Sequence, residues 1–337
     1  MQILQKIIRD VLTEAFGVPE PIHPYVELSK SFLLKELQSG EINNAIYISA
    51  SKINEFGLSP VGKYGKEYMK FPIRAIQISF RIHKQPEIHD EYYITGAFVH
   101  AKSNLGNAII NDQAIKTWNI KIDCDIAFKN TINYSNLNEY LEGFLNHEMT
   151  HAYEFYNKAK KNKDSISHSS TLDIAAKKSS ENENNIWEKF LSAIYFTLQY
   201  EINARIPELY AHIKSLRNKG LSNEEVVNAL YQTQDWIFAT QLQKFNHGKF
   251  LQKLEKSFVN SNQDPHEYLE NKISTFQNDL LHLVKDASSM GKEFKSLAKI
   301  SNMDPVQFLE YWEKVFHEKG NYIKKKMSRV LSYEQQK

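Results

Sequence analysis

His147, Glu148 and His151 stand in the pentapeptide His147-Glu148-Met149-Thr150-His151. On a helix, residues four apart project from one face, one turn apart, so both imidazoles can reach a single metal ion. A catalytic zinc site takes three protein ligands and leaves a fourth position to water. Two of the three are present here. The carboxylate between them leans toward the open position, where it suits a general base. Zinc brings a bound water to a pKa of about 7, so Glu148 can take its proton near neutrality. The chemistry this pattern supports is hydrolysis by an activated water.

The third ligand must come from another part of the chain. A Gly at 154 and a His at 157 would supply it on the same segment, but the chain has Glu154 and Asn157. The best candidate is Glu201, in Tyr200-Glu201-Ile202-Asn203-Ala204-Arg205. Trp187, Phe190, Leu191, Ile194, Leu198, Ile202 and Ile206 recur at helical spacing and predict a helix over about 187–217. Glu201 falls at the edge of that apolar face. A carboxylate there calls for a cation or a metal, because burying it alone is costly. Glu154, Glu208, His168 and Asp173 are weaker ligand candidates. Tyr200, Arg205, Tyr210 and His212 lie on the same segment and are candidate donors to a transition-state oxyanion.

These groups need elements to hold them. Asn136 with Glu139 reads as a capping box, and Leu137, Leu141, Phe144, Leu145 and Ala152 follow at helical spacing. Together they predict a half-buried helix over about 137–158, with the motif near its middle. Just before it, Trp118 to Phe128 alternates apolar and polar residues with period two, the mark of a strand with one buried face. Asp123 and Asp125 fall on its polar face. Ala45–Ile48, Ile73–Ile82 and Tyr92–His100 also read as strands.

Residues 1–40 read as helical, ending near Gly40. Met1–Phe16 is amphipathic and reads as a packing helix. Residues 158–186 are polar, with a short helix expected around Leu172–Lys178. From 221 onward the chain reads as helical. Ser222 with Glu225, Asp264-Pro265 with Glu267, and Asp304-Pro305 with Gln307 mark starts. Leu221 with Val226 and Met303 with Phe308 suit hydrophobic staples, and Gly320 reads as a stop. Leu269, Ile273, Phe276, Leu280 and Leu283 form a stripe of the kind that fills a core. The division expected is a helical segment over 1–40, a site-bearing domain over 41–218 and a helical region over 219–337.

His147, Glu148 and His151, with a downstream helix carrying Glu201-x-x-Ala204, resemble the gluzincin metallopeptidases over roughly residues 70–215. Arg205 stands where many members carry Asp, so the usual carboxylate partner of a zinc-bound histidine is missing at that position. The resemblance implies an α+β, zincin-like fold: a twisted mixed sheet, an active-site helix and a second ligand helix. It implies Zn²⁺ held by His147, His151 and Glu201, with Glu148 as base in peptide-bond hydrolysis. It also implies an edge strand beside the cleft that pairs with an extended peptide. The 118–128 strand is the one expected in that role.

With 42% hydrophobic residues the chain can build an ordinary core, and a formal net charge of +2 argues for neither nucleic acid nor an acidic membrane surface. Lys324-Lys325-Lys326 reads as a solvated helix face. Cys124 is the single cysteine, which excludes an internal disulfide and a cysteine-based structural zinc site. Neither a signal peptide nor a membrane-spanning segment is read, so the expectation is a cytoplasmic protein or a component of a viral particle. The expected partner is a peptide or protein substrate, with oligomerisation through the C-terminal helices. The competing reading is an assembly protein, such as a phage tail or collar component, that keeps a zincin-like fold with little or no activity. An injected effector protease is a third reading.

Overall fold

A computed structural model describes residues 19–39, 45–88, 91–99, 118–161, 190, 193–194, 196–197, 199–257, 267, 270–271, 273–275 and 303–335. The expectations for Met1–Phe16, for 172–178 and for the Asp264-Pro265 start lie outside these residues, as do Leu269, Phe276, Leu280 and Leu283. Ile273 of that stripe is buried.

Period-two alternation becomes four strands: β1 (Ala45–Ile48), β2 (Ile73–Lys84), β3 (Tyr92–Val99) and β4 (Trp118–Phe128). They form one mixed sheet in the order β1-β2-β4-β3. β2 and β4 are parallel, while β1 and β3 run antiparallel to their neighbours. One face is apolar: Ile46 and Ile48, Ile76, Ile78 and Phe80, and Ile120, Ile122, Cys124 and Ile126 are all buried. Tyr47, Gln77, Arg81 and Lys121, on the other face, are exposed. Asp123 and Asp125 lie on this polar face, and Asp125 pairs with Arg81 at 2.6 Å and His83 at 3.1 Å. β4 is therefore an inner strand, flanked by β2 and β3. That corrects the expectation that it is the edge strand: its outward charges signal one solvated face, not a free edge.

Helices cover the apolar face. α1 (His23–Ser39) and the long α4 (Tyr134–Lys161) pack together, with α2 (Ala50–Glu55) and α3 (Gly65–Lys70) between β1 and β2 in the chain. Buried Lys30 of α1 reaches Glu142 of α4 at 2.7 Å and Glu27 at 3.0 Å. Burial opposes its charge, yet these carboxylates outweigh that cost and raise its pKa. α4 starts earlier than its capping box suggests. Asn133 is the cap, its Oδ1 accepting from the N–H groups of Ser135 and Asn136 at 3.1 and 3.4 Å. Asn136 donates to Glu91 instead, at 2.8 Å.

The remaining helices are α5 (Gln199–Asn218), α6 (Asn223–Gln232), α7 (Gln234–Gln243), α8 (His247–Ser257) and α9 (Pro305–Gln335). The fold is thus α+β, a small mixed sheet with helices and a helical C-terminal region. Contacts gather the chain into two compact units. One comprises Met1–Asp164, Asn203–Val227 and Arg329–Lys337, so α1 belongs with the sheet. The other comprises Ser165–Ile202 and Asn228–Ser328.

In the second unit Phe190 meets Phe245, Phe250 and Phe316 with ring centroids 5.7, 5.1 and 5.5 Å away. Asp304 and Gln307 cap each other at the start of α9, as their spacing suggests. The Ser222–Glu225 box of the first unit also forms, at 2.8 and 3.3 Å. Gly320 is no stop: α9 runs on through it to Gln335. A Cβ at Gly320 would lie 2.8 Å from the Ala239 carbonyl oxygen and 3.1 Å from the Gln243 nitrogen, so this glycine serves a close crossing of α9 over α7. Among the described residues, no helix is long and apolar enough to cross a membrane.

Candidate metal centre

α4 and α5 lie side by side and run in opposite directions. Three pairs show it: Glu154 with Asn203, His147 with Glu208, and Glu139 with Ser215. As one partner moves toward the N-terminus of α4, the other moves toward the C-terminus of α5. Gly143 allows the approach, since a Cβ there would meet the Glu208 side chain at 3.3 Å.

The motif occupies the buried side of α4. His147 and Glu148 are 8% and 5% exposed, Thr150 is fully buried and Met149 is core. Thr150 returns its hydroxyl to the Asn146 carbonyl at 2.7 Å, so it adds no orphaned group. Burial, and after it the charge of Glu148, pushes the Cys124 thiol of β4 up. β3 closes on the same helix. A Cβ at Gly96 would lie 2.7 Å from Phe144 Cζ, one turn before His147, so only glycine lets β3 pass there.

His147, His151 and Glu201 come together, with one ligand atom from each lying within 4.8 Å of the others. The two Nε2 atoms are 3.0 Å apart. Donors about 2 Å from one ion in a tetrahedron stand ~3.3 Å apart, so the pair already has the spacing of two ligands of one metal. Glu201 is fully buried, in the first turn of α5. This buried group could hold a metal ion.

Glu208, a weaker ligand candidate from the sequence, lies 3.1 Å from Nδ1 of His147, a pairing the sequence reading did not foresee. A carboxylate accepts at Nδ1, so the proton sits there and Nε2 keeps its lone pair for a metal. The carboxylate partner missing at Arg205 is thus supplied one turn further along. The signal was available: Glu208 follows Glu201 by seven residues, two turns on the same helical face.

Glu154 is taken up by Asn203, which donates to it at 2.9 Å. Arg205 and Tyr210 are half-buried on α5. His212 lies farther along, near Glu139; burial opposes ionisation of Glu139, but bonds from Lys219 and Ser215 outweigh it, with His212 adding to them, and hold this carboxyl below the usual range. His168 and Asp173 lie outside the described residues. Comparison with known proteins found no match to this chain among family models, curated proteins or solved structures.

Proposed function

We propose that this chain is a zinc-dependent metallopeptidase of the zincin type. The observation that carries the reading is the convergence of His147, His151 and Glu201, with His147 held in the ligating tautomer by Glu208 and its chain neighbour Glu148 buried. Zn²⁺, when bound, supplies a Lewis acid and brings water to a pKa of about 7. Glu148 is the general base. It takes a proton from the attacking water and passes it to the leaving amine as the C–O bond forms and the C–N bond breaks. Its burial keeps it in the water-poor environment where such transfers are strongest. The strand that receives an extended peptide is β3. It is an outer strand of the sheet among the described residues, and Gly96 brings it against α4 beside Phe144.

Glu148→Gln tests this directly. We expect zinc content to stay at the wild-type level and cleavage of a casein-type protein substrate to fall by ~10²–10⁴-fold. Turnover equal to wild type would overturn the mechanism. A wild type that binds zinc but cleaves nothing would favour the assembly-protein reading.

A further inference from the structure

The metal group depends on the end of a helix. Glu201 is the third residue of α5. First turns open most readily, because their N–H groups lack partners within the helix. Just upstream, Thr197 is a turn residue whose N–H and hydroxyl both bond the Ile194 carbonyl, at 3.0 and 2.6 Å. A carboxylate presented from such a turn needs an anchor if it is to stay among the imidazoles.

Asn203 provides one. Its Nδ2 donates to Oε1 of Glu154 at 2.9 Å. Glu154 lies three residues past His151 on α4, and Asn203 two residues past Glu201 on α5, so the bond crosses between the helices just beyond the ligands. The His147–Glu208 contact ties the same two helices further along α5. We propose that Asn203 and Glu154 are positioning residues, whose hydrogen bond holds the first turn of α5 so that Glu201 meets His147 and His151. The proposal rests on the metal reading above.

The test is the Zn²⁺ affinity of the full chain, measured by competition with a chromophoric chelator, together with the melting temperature of the metal-free protein. Asn203→Ala and Glu154→Ala should each weaken zinc binding by ~10–100-fold. Glu154→Gln keeps the accepting oxygen and should stay within ~3-fold of wild type. The double alanine variant should bind about as well as the weaker single one, because both remove one bond. Wild-type affinity in Asn203→Ala would overturn the proposal. So would Glu154→Gln as weak as Glu154→Ala, which would make the charge the agent. A fall in metal-free melting temperature with unchanged affinity would assign the pair to stability alone and overturn it too. If Asn203→Ala does not fold, the two Glu154 variants decide. A wild type that takes up no zinc would overturn the metal reading itself, an outcome distinct from zinc bound equally by every variant.

Discussion

The α4–α5 pair buries polar side chains among its apolar ones, and the cluster around Phe190 buries aromatic rings. Around Phe190 the interior is aromatic, with Phe245, Phe250, Phe308, Trp312 and Phe316 buried or packed there. Along α4 and α5 the buried positions include Asn146, His147, Glu148, Thr150, Glu201 and Ser215. Each polar group taken out of water needs a well-placed partner inside, so a core selected for stability alone would not collect them. Aromatic burial marks where the chain builds stability. On the proposed function, polar burial, with two imidazoles and a carboxylate converging, marks where it gives stability up for chemistry.

The sharpest way to break this contrast is on the aromatic side. Phe316→Ala should destabilise the protein by ~3–5 kcal/mol, seen as a lower urea midpoint, because it leaves a large cavity among packed rings. A loss under ~1 kcal/mol would mean that this cluster is not the stabilising core.

On the polar side the effect should fall on the metal. Glu208→Gln retains the shape but loses the charge-assisted bond to Nδ1 of His147, so zinc affinity should drop by ~10–100-fold. The metal-free melting temperature should barely move, because Glu208 is 40% exposed and its pairing is solvent-screened. The reverse pattern, stability lost and affinity kept, would make Glu208 structural.

The smallest expected effect sharpens the contrast with a polar device on the stabilising side. Glu313 accepts from the His247 N–H at 2.7 Å and from its ring at 2.6 Å, at the start of α8. Burial works against its ionisation, but these bonds outweigh it, with His317 adding to them, and hold Glu313 below the ordinary carboxylate range. A depressed carboxylate contributes stability that is present above its unfolded pKa of about 4.3 and is lost as pH falls through the folded value. Glu313→Gln should therefore lose about 1 kcal/mol at pH 7, with the difference from wild type shrinking below about pH 4. Urea melts at the two pH values read this. A gap that widens on acidification would reverse the sign.

Much of this arrangement was legible in the sequence. All four strands carry period-two or β-branched signals, and the motif helix follows from Leu137, Leu141, Phe144 and Leu145. Such patterns report one residue against one face, which local sequence encodes well. The failures are those of relations between elements. Asn136 has the chemistry of a cap, but Asn133 holds the position because the chain enters α4 three residues earlier. Gly320 has the chemistry of a stop, yet its small size serves a helix crossing. The place of β4 inside the sheet depends on its partners, as does the pairing of Glu208 with His147. His147, His151 and Glu201 were found because metal ligands obey a spacing rule, with the third chosen from the cost of burying a carboxylate.

The central claim is that those three side chains hold one metal ion. Elemental mass spectrometry of the purified full-length chain, wild type beside Glu201→Ala, tests it most directly. The account expects one zinc per wild-type chain and a marked loss in the variant. No zinc in the wild type after reconstitution, or full zinc retained in Glu201→Ala, would contradict it.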